Sequence, residues 1–534
     1  MAIVKIDITL FKKMVMNGAI NLKNFHKEVD ELNVFPIPDG DTGTNMQMTI
    51  MSGVREMANL QSTSLVELAK ILSRGTVMGS RGNSGVILSQ YFRGFYVGLK
   101  DMEENYLTTE QLTKCLVSAY KTAYNAVKTP VEGTILTVVR EAAEKVVAKK
   151  EGFDNIEDLL DYYCEAAKES LAHTPELLPV LKEAGVVDSG GAGFLKILEG
   201  MILAVKGTIL EAEPAQNTAT EQVKDVYKYC IECYLTVENP SSFSVSDLKS
   251  PLSLLGNEVR ISYNNEVVTL HIHTNKPGRV LENCQKYGEF TKVKIENMSL
   301  SHTQMICKDE FKETRKKMAV ISVCFGDGIT QAFKDLGVDL VIEGGQTMNP
   351  PTEEFVKAVQ KVNADNVLIL PNNGNVVMAA KQAISLCEGV NVHVLPAKTI
   401  AQGYASLINY SPSNSLEENV QVMEEAIYNV GSGEVTYSIR DTEIKGVKIA
   451  NGDFMGIANG EIVVSTKDRL ESTERLLDNL LVDGADIVTI FYGADATDEE
   501  VSQIEGYLNE TYPDLEVETI NGQQEIYTYI IAVE

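Results

Sequence analysis

Residues 33–46 read NVFPIPDGDTGTNM and set two carboxylates, Asp39 and Asp41, either side of one glycine. Carboxylate oxygens suit a hard divalent cation such as Mg²⁺. Thr42, Gly43, Thr44 and Asn45 follow and run into a helical pattern. A Thr/Gly-rich turn that opens a helix offers backbone N–H groups to an anion. Together the two halves describe a seat for Mg²⁺ and nucleotide phosphates. A proline-bracketed turn with an Asp/Thr helix cap is the plainer alternative. Two more polar loops lead into apolar helical stretches: Gly79-Ser80-Arg81-Gly82-Asn83-Ser84-Gly85 and Asp188-Ser189-Gly190-Gly191-Ala192-Gly193. Their glycines allow close backbone approach to a ligand, and Asn83 and Ser84 can donate to phosphate oxygens. A cap or tight helix packing explains any one loop; three within one helical region favour a phosphate site. Neither G-x-x-x-x-G-K-[ST] nor the protein-kinase signature set occurs.

A second constellation lies further on. Cys230-Ile231-Glu232-Cys233 has the spacing of a zinc pair, but in a strand residues three apart point to opposite faces. Cys233 shares the apolar face with Ile231 and Leu235 and reads as a core thiol. Cys230 lies on the other face. His271 and His273 share a face opposite Leu270 and Ile272. If the two strands belong to one sheet, Cys230, His271 and His273 converge. One thiolate and two imidazoles leave a zinc position open. A polar surface with two solvated histidines is the alternative, and both stay open.

The elements that must carry these residues divide the chain in three. Residues 7–205 are mainly helical; Leu112, Leu116, Ala119, Ala123 and Val127, for example, form one apolar stripe behind an N-cap at Thr108 or Thr109. A polar linker at 211–222 precedes a period-two region, with Tyr229, Ile231, Cys233, Leu235 and Val237 on one face and a helix starting near Ser244 or Ser246. A charged linker, 308–317, ends it. From Met318 apolar runs alternate with helices, as parallel βαβ units do. There the loops 344–350 and 371–375 follow strands, where ligands commonly sit.

The 534 residues carry 47 Lys+Arg against 75 Asp+Glu, a net charge of −28. That argues against nucleic acid and anionic membrane as main partners. No N-terminal signal and no apolar run of spanning length is visible, and eight scattered cysteines do not form a secreted disulfide framework. A cytoplasmic protein is expected.

NVFPIPDGDTGTNM, GSRGNSGVILSQYFRGF, TPVEGTILTVVREA and VVDSGGAGF resemble the nucleotide-binding L domain of dihydroxyacetone kinases. The whole chain resembles more closely the ATP-binding subunit of bacterial fatty acid kinase. The resemblance implies a multidomain fold: an all-α DhaL-like helical barrel (1–207), a small α+β middle domain (223–307) and an α/β DegV-like C-terminal domain (316–534). It implies ATP and Mg²⁺, with Asp39 and Asp41 as metal ligands. The relatives' further upstream aspartate has no counterpart, and Asn33, through its carbonyl oxygen, stands in for it. Thr42, Gly43, Thr44, Asn45, Ser80, Gly82, Asn83, Ser84, Gly133, Thr134, Asp188, Gly190 and Gly191 match nucleotide-facing loops. The implied reaction phosphorylates the carboxylate of a fatty acid presented by a separate DegV-like carrier protein. Arg81 is the expected γ-phosphate clamp, and the Cys230, His271 and His273 cluster a zinc or catalytic site. The C-terminal domain is expected to dock the carrier, so its removal should spare ATP binding. Homodimerisation is a further implication. A kinase of a small hydroxylated molecule and a non-catalytic nucleotide sensor are the competing readings.

Overall fold

The computed structural model describes residues 3–33, 40–58, 64–211, 229–238, 240, 243–252, 255–264, 267–297, 315–344 and 349–534. Asp39 and most of both linkers lie outside the described residues. The chain forms two compact units. One joins Met1–Glu213 with Glu313–Glu534, and the other is Pro214–Lys312.

In the first unit a short antiparallel pair, β1 (Ile6–Asp7) and β2 (Tyr106–Leu107), accompanies nine helices among the described residues. These are α1 (Ile8–Asp30), α2 (Thr42–Ala58), α3 (Leu65–Met78), α4 (Gly82–Leu99), α5 (Thr109–Asn125), α6 (Ile135–Ala148), α7 (Ile156–Leu177), α8 (Pro179–Ala184) and α9 (Ser189–Val205). Their apolar stripes close on one core. The expected stripe of α5 is buried at Leu112, Leu116, Ala119 and Ala123, behind a Thr108/Gln111 capping box. Val127 falls beyond the helix end and packs against the core only in part.

Among its described residues the second unit is a four-stranded antiparallel sheet with two helices: β3 (Tyr229–Val237), α10 (Val245–Leu252), β4 (Gly256–Asn264), β5 (Val267–Thr274), α11 (Pro277–Cys284) and β6 (Gly288–Asn297). The strand order is β4-β5-β3-β6. The period-two face of β3 (Ile231, Cys233, Leu235, Val237) packs with Val268, Leu270 and Ile272 of β5, under Leu248, Leu252 and Val280.

The C-terminal part of the first unit opens with β7 (Lys316–Cys324), α12 (Asp327–Asp335), β8 (Leu340–Glu343), α13 (Thr352–Val362), β9 (Ala364–Leu370), α14 (Val377–Ile384), β10 (Asn391–Val394), α15 (Ile400–Ile408) and α16 (Leu416–Asn429). Its four strands are all parallel, in the order β10-β9-β7-β8. A second sheet follows: β11 (Gly431–Tyr437), the hairpin β12 (Thr442–Ile444) and β13 (Val447–Ile449), β14 (Phe454–Ala458), β15 (Glu461–Thr466), α17 (Arg469–Leu480), β16 (Ile487–Tyr492), α18 (Asp498–Thr511), β17 (Glu516–Asn521) and β18 (Tyr529–Val533). The six main strands run β15-β14-β11-β18-β16-β17, and only β16 and β17 are parallel. The β14–β15 hairpin turns at Asn459-Gly460, both at positive φ, whereas β18 pairs with β11 and β16 from far along the chain.

Candidate functional site

Four helix N-termini meet at one end of the helical domain, and side chains tie them together. Asn33, just past α1, accepts at Oδ1 from the Thr42 hydroxyl (2.7 Å) at the start of α2 and from Ser189 Oγ (3.3 Å) at the start of α9. Asp30 caps α2: its carboxylate accepts from Thr44 N–H (3.1 Å), Thr44 Oγ1 (2.7 Å) and the Gly43 N–H. Gly43 cannot carry a side chain, because a Cβ would lie 2.2 Å from the carbonyl oxygen of His26. Asp188 caps α9 at Gly191 N–H (2.7 Å) and also takes the Ile135 N–H at the start of α6. Gly133 and Thr134 lie immediately before that helix. Gly82 opens α4 at φ +59°, and a Cβ there would strike the Asn45 amide at 2.5 Å. Thr49 Oγ1 accepts from Arg81 N–H at 3.2 Å.

Burial raises the Asp30 carboxyl above the ordinary carboxylate range, against the lowering effect of its bonds to Thr44 and Gly43. Burial pushes Asp188 up to about 6, again against its N–H partners. These two acids occupy the N-termini of α2, α6 and α9. By contrast, among the described residues α4 has no side-chain cap. Its first-turn N–H groups, at Gly82, Asn83 and Ser84, are the ones that can meet an anion from outside.

The same end of the helical domain is pressed against the C-terminal domain. Asn349 Nδ2 donates to Asp41 Oδ2 (2.5 Å), and the Asn349 carbonyl accepts from Arg81 Nη1 (2.7 Å). Thr352 N–H donates to the Ser80 carbonyl (3.1 Å), and the two hydroxyls lie 2.9 Å apart. Gln382 Nε2 donates to Ser80 Oγ (2.7 Å) and the Val77 carbonyl (3.0 Å), while its Oε1 accepts from Gln90 Nε2 (2.7 Å). Val86 of α4 joins the core cluster of the parallel sheet. Asn83 Nδ2 is directed at Asn375 Oδ1 (3.4 Å) and the Gly374 carbonyl (3.5 Å).

Three residues expected at the nucleotide or cation have protein partners here. Ser80 is fully buried and its hydroxyl meets Val77, Thr352 and Gln382. Arg81, expected at the γ-phosphate, donates from Nη1 to the Asn349 carbonyl. Asn33 Oδ1, the expected stand-in cation ligand, accepts from Thr42 and Ser189. Asn349, and Gly374 and Asn375 in the loop after β9, reach Asp41 and Asn83. Asp30, Asn349, Thr352 and Gln382 were not legible as site residues, because each acts across a fold contact of 14 to 308 residues.

In the second unit, taken by itself, β3 and β5 are neighbours with Cys230 opposite His273 and Glu232 opposite His271. Ligand atoms of Cys230, His271 and His273 lie within 4.8 Å of one another, with Cys230 Sγ 3.9 Å from His271 Nδ1. Cys233 is buried in the core, as its strand face requires. The sulfur and nitrogen donor set fits Zn²⁺.

Helix N-termini clustered at one end of a helical domain, which packs on a two-sheet α/β domain, define the first unit. Family models match in the same order along the chain: the DAK2 domain at 36–203, the FakA-like fatty acid kinase middle domain at 226–305, and the FakA-like fatty acid kinase C-terminal domain at 319–534. Protein YloV of Bacillus subtilis is 41% identical over the full length of both chains. The chain belongs to the FakA-like fatty acid kinase family. Similar solved structures include the DegV family protein Cg2579 from Corynebacterium glutamicum (17% identity, TM-score 0.31, 41% of this chain and 96% of that one). Another is the dihydroxyacetone kinase from C. freundii in complex with AMP-PNP and Mg²⁺ (14% identity, TM-score 0.30, 54% and 55%). Among the described residues no helix is long and apolar enough to cross a membrane.

Proposed function

We propose that this chain is the ATP-dependent component of a fatty acid kinase. It transfers the γ-phosphate to the carboxylate of a fatty acid presented by a separate DegV-like carrier, giving acyl phosphate and ADP. One observation carries the reading: the N-terminus of α4 has no side-chain cap and is linked to Asp41 through Arg81 and Asn349, while the neighbouring N-termini are capped by Asp30 and Asp188. The carboxamide that meets Asp41 also carries a buried oxygen, Asn349 Oδ1, with no partner among the described residues, and carboxylate and amide oxygens are donors that fit Mg²⁺. Asp41, with Asp39 by motif, would hold that cation, which neutralises charge on the phosphates. The N–H groups of Gly82, Asn83 and Ser84 bind phosphate oxygens. A fatty carboxylate is ionised at neutral pH and needs no general base. Its oxygen forms the new bond to the γ-phosphorus as the bond to the bridging oxygen of ADP breaks. The protein's task is alignment and charge neutralisation.

The carrier would dock on the C-terminal domain, and Cys230, His271 and His273 would hold a zinc ion. The decisive experiment incubates the protein with Mg²⁺-ATP and oleate, with and without a DegV-like fatty-acid-binding protein, and traps acyl phosphate as hydroxamate. Product that requires both the carrier and Asp41, tested with Asp41→Ala, is expected. ATP binding without acyl phosphate from any carrier would defeat the reading in favour of a small-molecule kinase or a nucleotide sensor.

A further inference from the structure

We propose that Asn349, carried by the C-terminal domain, is a positioning residue of the metal–nucleotide site, so that this site is assembled from two domains. The inference rests on reading Asp41 as a metal-binding carboxylate. Asn349 is 2% exposed and makes two directed contacts, its amide to Asp41 Oδ2 and its carbonyl to Arg81 Nη1. An N–H donated to a carboxylate is a charge-assisted bond, and it fixes the rotation of the Asp41 side chain. One oxygen is thereby occupied and the other is set in direction. The backbone around Asn349 is equally constrained. Pro350 and Pro351 follow it, all of 349–352 is buried, and Thr352 is bonded to Ser80 through both its main chain and its hydroxyl. Prolines lock φ, so Asn349 presents its amide from a stiff segment.

A third observation points to a ligand. Asn349 Oδ1 is buried and has no hydrogen-bond partner among the described residues. A buried carbonyl oxygen left unpaired is costly, and native proteins rarely keep one without a use. It lies on the same carboxamide that holds Asp41. An oxygen donor in that place is what a hard cation, or water bound to one, takes up. Gln382 makes a useful contrast. It also bridges the two domains, through Val77, Ser80 and Gln90, but none of these bonds reaches Asp41.

The test uses the full chain and Mn²⁺ as probe, counted by the loss of its free-ion electron paramagnetic resonance signal in the presence of a non-hydrolysable ATP analogue. Loss of one charge-assisted bond corresponds to about tenfold weaker Mn²⁺ binding in Asn349→Ala. Gln382→Ala should stay within about twofold of the parent. Asn349→Leu keeps the side-chain volume and removes the donor; it should fold as the parent does and still bind Mn²⁺ more weakly before saturation. Equal affinity of Asn349→Ala and parent would overturn the inference. So would equal losses in Asn349→Ala and Gln382→Ala, which would indicate domain docking in general. A parent protein that binds no Mn²⁺ with nucleotide would instead overturn the site reading on which the inference stands.

Discussion

The carboxylate of Asp30 takes two bonds from Thr44, one from its N–H at 3.1 Å and one from its hydroxyl at 2.7 Å. The last residue of α1 thus caps the first turn of α2. Replacing a capping side chain by alanine costs about 0.5–2 kcal/mol. Asp30→Ala should lower the unfolding midpoint of the first unit accordingly in a urea titration. A shift too small to resolve would mean that the cap does not hold this corner.

Asp188 gives a pH dependence with a defined sign. Its carboxyl is pushed up to about 6 in the fold, above the ordinary aspartate value near 4. Between those values the folded state holds more protons than the unfolded chain, so this group's contribution to stability falls as pH rises. The parent should therefore lose stability relative to Asp188→Asn between about pH 4 and 6. Thermal melts of both proteins across that window measure the difference. A constant difference would show that Asp188 titrates normally.

Ser80→Ala separates a domain contact from a nucleotide contact. The hydroxyl meets Val77, Thr352 and Gln382, and its loss should cost about 1 kcal/mol of stability. The KM for ATP should remain within about twofold of the parent. A large rise in KM with unchanged stability would return Ser80 to the nucleotide.

Protein purified without chelator should carry one zinc per chain by inductively coupled plasma analysis. Cys230→Ser and His271→Ala should each abolish it, since one thiolate and two imidazoles are the minimum set present. Full zinc content in either variant would place the ion elsewhere, and none in the parent would remove it.

Removal of residues 316–534 is expected to do more than block transfer. It takes Asn349 from Asp41, Thr352 and Gln382 from Ser80, and leaves Val86 without its packing partners. Calorimetry should show ATP affinity reduced by about tenfold or more. Undiminished affinity would restore the modular picture suggested by sequence.

Periodicity made much of this molecule readable. The stripe of α5, the alternation of β3 and β5, and the starts of α4 and α9 stand in the sequence much as they stand in the fold. The convergence of Cys230 with His271 and His273 followed from strand parity, given one shared sheet. What sequence did not carry was the direction in which a loop faces. Ser80 and Arg81 have the right types and spacing for a phosphate loop, yet their side chains turn to the C-terminal domain. Asn33 has the right oxygen, but Thr42 and Ser189 reach it first. Such outcomes depend on tertiary neighbours far along the chain, and local pattern holds no record of them.

The contact between Asp41 and Asn349 spans 308 residues. During synthesis at 5–20 residues per second that gap lasts roughly 15–62 s. For that interval the nascent helical domain holds Asp41 without the amide that donates to it. The order of translation thus acts as a delay: the site nearest the start of the chain reaches its finished geometry only after Asn349 has left the ribosome.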